Sequence, residues 1–307
     1  VTVLARLGAA LQRFLLPLVL ASAVLGATVP GPARWVVEHG GITTALTVLV
    51  LAVGLGLPLT ELTRTRAHSQ RIVIVVVVPV VVLPALAWAA SRLVSPGPLR
   101  DGVISAGVAP TEVAAVAVAA LAGGSAALAA TVLIGSTLTT ILLAAPTLNL
   151  LTTTPTSSSN GSLLITLLAV VALPLTVGIT IRAAIPGRHE PAADTASSGG
   201  TTLAVLVLIW LVASQAHLGS TYLQAGLALL LFLGASTLTG ALLTRGLPAA
   251  IRTSLLLPVA MRDFAIAAGI AAHAFGPPAA APLALYGVLV LILGAASQRL
   301  SSAPRPV

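Results

Sequence analysis

The 307-residue chain is 57% hydrophobic and 7% charged, with 15 basic residues, all arginine, against 7 acidic ones, for a net charge of +8. A soluble domain carries about 25% charged residues, so a chain of mean hydropathy +1.09 cannot cover a water-facing surface and reads as an all-α polytopic membrane protein. The basic balance would suggest nucleic acid elsewhere, but the arginines lie between apolar runs rather than in a patch. With no cysteine there is no disulfide frame, thiolate metal site or cysteine nucleophile. Neither a metal nor a cofactor is expected.

A bilayer core about 30 Å thick needs roughly 20 apolar residues per helix. In chain order, ten runs meet that need: 12–29, 42–59, 71–93, 102–122, 125–147, 163–183, 201–217, 222–244, 249–275 and 279–298. Polar connections fall at 31–41, 61–71, 95–100, 152–162 and 182–200. Arg6 and Arg13 before an apolar stretch resemble a signal peptide, but nine further runs follow, so a retained first helix is expected. Asn160-Gly161-Ser162 reads as a polar loop, Trp35, Trp88 and Trp210 as interfacial anchors, and Gly54 and Gly56 as close-packing sites.

Arginines orient the chain. Arg6, Arg13, Arg64, Arg66, Arg71, Arg182, Arg188, Arg245, Arg252, Arg299 and Arg305 fall on the side of the N-terminus, and Arg34, Arg92 and Arg100 on the other. Both termini are therefore expected in the cytoplasm. The arginine and alanine bias suggests a GC-rich bacterial genome, hence a bacterial inner membrane.

Runs one and six, three and eight, and five and ten start about 151–154 residues apart. Five helices per half predict two inverted repeats, 1–153 and 154–307. Runs four and nine share a further feature, a proline beside ionisable residues: Pro110 with Thr111 and Glu112, and Pro258 with Arg262 and Asp263. Aligning Gly123 with Gly276 sets Ala109-Pro110 opposite Arg262-Asp263. Proline removes a helical hydrogen bond, and paired interruptions in a membrane protein point to a midplane transport site. Ions within a span mark function or mutual pairing, so a binding role and a purely structural Glu112–Arg262 ion pair are the two readings, and a pair that breaks during transport would be both.

Three stretches, 45–62, 109–140 and 252–280, make the chain similar to the bile acid:sodium symporter family. The second resembles the family's Pro-Gly-Gly stretch, and the third its Glu-Val-Gly-Met-Gln-Asn stretch. The resemblance implies ten helices, with a panel domain (1, 2, 6, 7) and a core domain (3–5, 8–10), helices 4 and 9 crossing in the core. It also implies substrate in the crevice between domains, alternating access, and an organic anion driven by sodium.

The sodium-binding pattern is altered. The family's Ser-Asn falls on Ala115 and Val116, its next Ser and Thr on Ala129 and Leu133, its Glu on Pro258, its Gln-Asn on Arg262-Asp263 and a further Gln on Pro79. Sodium coupling by those sites is not expected. Arg262 either stands in for the ion or binds an anionic substrate directly, since its guanidinium offers paired donors to a carboxylate. Glu112 and Asp263 would hold Arg262 in the empty site, and Glu112 could carry a proton. Thr111, Ser105 and Ser254 are their candidate polar neighbours.

The expected function is a secondary transporter of a small organic anion, proton-coupled or uncoupled. The related arsenite efflux carriers are an alternative that Met261-Arg262-Asp263-Phe264-Ala265 resembles, although they depend on a cysteine that this chain lacks. A non-transporting membrane scaffold is another. An enzyme is not expected: His189-Glu190 lacks the second histidine of a zinc helix, Asp263 is the one convincing intramembrane aspartate, and Gly135-Ser136 lacks the second glycine of a hydrolase elbow.

Overall fold

A computed structural model describes residues 15–57, 68–152, 160–186, 190–216 and 219–302. Arg6, Arg13, Arg64, Arg66, Arg188, Arg305, His189 and His217 lie outside the described residues. Among those described, every regular element is helical, and the β contact is an isolated bridge between Thr111 and Arg262.

The chain begins with α1 (Leu15–Thr28), α2 (Pro30–Glu38) and α3 (Gly41–Gly56). The connection at 31–41 is thus largely helical, contrary to expectation. Pro30 starts α2, where its absent N–H is not needed, and Gly40, at φ 81°, allows the 81° bend into α3. Next come α4 (Ser69–Ser91), α5 (Pro98–Val108), α6 (Ala114–Leu121) and α7 (Ala126–Leu151).

The sixth run folds as α8 (Asn160–Leu167), a π-turn (Leu168–Ala172) and α9 (Leu173–Ala184). Pro174 explains the π-turn, because its ring cannot accept the normal helical geometry of the preceding turn. Next, α10 (Glu190–Ala213) begins well before the expected residue 201, so most of the presumed 182–200 loop is helix. The extension is tied down: Asp194 pairs with Arg182 at 2.7 Å, and Ser197 donates to the Ala52 carbonyl at 2.7 Å. The chain closes with α11 (Ser220–Leu243), α12 (Ala249–Ala260), α13 (Phe264–Phe275) and α14 (Pro277–Ser302).

Among the described residues, six helical stretches are long and apolar enough to cross a membrane, or seven with the bent α2–α3 pair counted as one. The six are α4, α7, the span from Leu164 to Ala184, α10, α11 and α14. Runs four and nine are each split into two helices, and at about 1.5 Å per residue none of these halves spans about 30 Å alone.

Helix α3 packs on α9 and α10, and α1 packs on α10. At the α3–α9 crossing Gly54 faces Gly178 so closely that a Cβ on Gly54 would lie 2.6 Å from the Leu175 carbonyl oxygen. These glycines pack helices, as the sequence suggested for Gly54. Helices α4, α5, α7 and α11–α14 surround the two breaks, with Phe232, Phe264 and Tyr286 fully buried among them.

Candidate functional site

The fourth run breaks at Pro110 as expected, but Pro258 lies inside α12 and the ninth run breaks three residues later, at Met261–Asp263; there the freed backbones find each other. Ala109 is extended at φ −59°, ψ 153°, as the residue before a proline must be, and Met261 is extended at φ −97°, ψ 109°. The Glu112 N–H donates to the Met261 carbonyl at 2.8 Å, and the Asp263 N–H to the Pro110 carbonyl at 2.8 Å. Unwound backbone in a membrane protein must be satisfied within the protein, and these two stretches do so reciprocally.

Hydroxyls supply the remaining partners. Ser136 accepts the Thr111 N–H at 3.0 Å, Thr140 donates to the Val108 carbonyl at 3.1 Å, and Ser236 donates to the Ala260 carbonyl at 2.9 Å. Thr111 itself donates to the carbonyl of Pro258 at 2.9 Å, joining the two breaks a second time. Of the other expected neighbours, Ser105 donates to the Asp101 carbonyl of its own helix, whereas Ser254 receives the Ser125 N–H at 2.6 Å. Sequence reasoning missed Ser136 and Ser236 as supports of the breaks. A signal was present: both open the tetrapeptide Ser-Thr-Leu-Thr, at 136–139 and 236–239. Tyr286 was missed too; it lies buried beside Arg262, its presence marked only by a lone tyrosine in an apolar run.

Glu112, Arg262 and Asp263 are all buried at this crossing. They do not form the expected ion pair: among the described residues no carboxylate oxygen lies within 4.0 Å of Arg262. Asp263 caps α13, accepting the N–H groups of Ala265 at 2.9 Å and Ile266 at 2.8 Å. Glu112 accepts the Phe264 N–H at 3.4 Å, from the same helix start. Arg262 turns the other way and donates through Nη2 to the Ala109 carbonyl, past the end of α5. The reason is electrostatic: a helix N-terminus favours anions and a C-terminus favours cations, so each charge rests on a half-helix end.

The two arms face different spaces. Asp263 lines a narrow crevice with Val113, Leu133 and Thr137, walled on the far side by Leu49, Val53, Val171 and Leu175. Arg262 lines a narrow groove between α4, α5 and α7, with Thr139, Thr140 and Thr147. Of the altered sodium positions, Leu133 faces the crevice, and the Pro258 carbonyl is held by Thr111. Pro79, Ala115, Val116 and Ala129 line neither space.

A helical chain with several apolar spans, folded around two discontinuous helices, is a polytopic membrane protein of the kind that carries solutes. Residues 43–219 match the Sodium Bile acid symporter family, and the chain belongs to that family, one of membrane transporters and not of enzymes. The match includes the break at 109–113 and stops short of the second, at 261–263, which the tertiary structure joins to the first. Comparison with curated proteins gave no match.

Proposed function

We propose that the chain is a secondary active transporter that moves a small organic anion by alternating access, coupled to protons rather than through the family's sodium sites. The observation that carries this is the guanidinium of Arg262 on the Ala109 carbonyl. In broken-helix transporters, unwound carbonyls and half-helix C-terminal ends are where a cation is coordinated; here a fixed cation occupies such a place. Ala115, Val116, Ala129, Leu133, Pro258 and Pro79 offer no side-chain oxygen to replace the family's ligands.

Proton coupling follows from charge. Glu112 and Asp263 set two acids against one base in the buried crossing. One proton makes the cluster neutral for the conformational change. A carboxylate cargo beside Asp263 would also need a proton between the two groups, so binding and protonation occur together.

In this reading the ten runs form two inverted five-helix repeats, 1–153 and 154–307. The panel comprises α1, α3, α8–α9 and α10, and the core comprises α4–α7 and α11–α14. The cargo lies in the crevice where α3 and α9 face Asp263 and Thr137, and the panel moves against the core. Arginine placement sets both termini in the cytoplasm of a bacterial cell.

Uptake into proteoliposomes, with sodium and pH gradients imposed separately, tests the proposal. The pH gradient should drive uptake without sodium; strict sodium dependence would overturn the reading.

A further inference from the structure

We infer that Tyr286 is a positioning residue for Arg262: its hydroxyl is the second resting place of the guanidinium, taking the Nε–H when the hold on the Ala109 carbonyl opens during the transport cycle. The inference rests on the alternating-access reading above and adds to it the group that receives the cation.

Two buried polar groups meet here without partners. Arg262 is 4% exposed and Tyr286 0%. Among the described residues, neither the Arg262 Nε–H nor the Tyr286 hydroxyl makes a hydrogen bond. Tyr286 lies beside both the guanidinium and the backbone N–H of Arg262. One group lacks an acceptor and the other offers one. Leaving both unpaired in a protein interior is costly, so a small rotation of the guanidinium that joins them is favoured.

The bridge explains why Tyr286 stands there. Its hydrogen bonds are made by the flanking residues, which turns the N–H groups of Thr111 and Arg262 outwards. The Thr111 N–H meets Ser136 of α7 at 3.0 Å. On the other strand, the Arg262 N–H faces Tyr286 of α14 without reaching hydrogen-bond geometry. Tyr286 is about as far along the chain from Ser136 as Arg262 is from Thr111. The crossing is therefore fastened on the Ser136 side and loose on the Tyr286 side. Helix α14 approaches this closely because the next residue is Gly287, where a Cβ would lie 2.8 Å from the Phe264 ring. Phe232 holds the tyrosine ring from α11, with centroids 5.9 Å apart.

A buried cation needs a partner in every state of a transport cycle, and the Ala109 carbonyl serves the state described here. Glu112 and Asp263 are engaged at the start of α13. A tyrosine hydroxyl is neutral at neutral pH. Passing the guanidinium from Ala109 to Tyr286 thus leaves the one-proton charge balance of the crossing intact.

The test uses the full chain carrying V53C in proteoliposomes, labelled with a membrane-impermeant maleimide with and without an imposed pH gradient. In V53C alone, the gradient should move accessibility from one side to the other. Adding Y286F, which keeps the ring, should cut the fraction moved about tenfold, the worth of one hydrogen bond to a charged group. Its Tm in nanodiscs should not fall, because this conformation loses no hydrogen bond. Y222F removes the other tyrosine hydroxyl and should label like V53C alone. Undiminished movement with Y286F, or a clear drop in its Tm, would overturn this inference alone. No movement in V53C itself would overturn the transport reading and this inference with it.

Discussion

Thr111 and Arg262 pair as an isolated antiparallel bridge between two interrupted helices whose residues lie about 150 positions apart. The flanking hydrogen bonds, Glu112 to Met261 and Asp263 to Pro110, make the crossing a unit rather than two independent kinks. That unit fixes the arrangement of charge: Arg262 at the end of α5, and Glu112 with Asp263 at the start of α13.

Replacing Glu112 with Gln keeps the shape and the acceptor for Phe264 N–H while removing a proton site. Under the transport reading, E112Q should lose most of the pH dependence of uptake while still folding. The check is initial uptake rate in proteoliposomes from about pH 5 to 8, the range over which stability and charge of ordinary proteins are balanced. A parent-like pH profile would remove Glu112 from the coupling.

Ser136 and Ser236 each support one break from a different helix. S136A and S236A should each lower stability by about 0.6–2 kcal/mol, the range for hydrogen bonds inside membrane proteins. Because they serve opposite strands of one bridge, the double variant should depart from additivity. Denaturant unfolding of the four proteins in a double-mutant cycle measures this.

At the α3–α9 crossing, a Cβ on Gly178 would lie 2.5 Å from the Leu51 carbonyl oxygen. G178A must push two backbones apart, and overpacking of this kind costs about 1–3 kcal/mol. G199A is the control, since nothing lies within 4 Å of a Cβ there. The expected result is a clear drop in Tm for G178A and little change for G199A.

The absence of cysteine gives an unaltered background for labelling. V53C and I134C, on opposite walls of the crevice, should react with a membrane-impermeant thiol reagent from one side in this conformation. Their accessibility should transfer to the other side when the transport cycle is driven by a pH gradient. A static scaffold would show the same accessibility under both conditions.

Much of the architecture could be read from composition and hydropathy. Apolar runs located the helices, and Pro110 marked the first break, whereas Pro258 lies inside α12 and the charged pair Arg262-Asp263 is what marks the second. Amphiphilic stretches were less legible. The segment after Glu190 looks like a loop by composition, yet forms helix because Asp194 and Ser197 find Arg182 and Ala52 across the fold.

By itself, then, the sequence determined a membrane-embedded helical chain, its family resemblance and the identity of three buried charges. It left open whether Glu112 and Arg262 would pair or serve binding. Only the tertiary structure decided where those charges rest. Bringing the two breaks together placed half-helix ends beside them, and oriented peptide dipoles, which no residue pattern displays, offered each charge a partner in the backbone. The separation of the Asp263 crevice from the Arg262 groove has the same origin, since adjacent residues in an extended strand point to opposite faces.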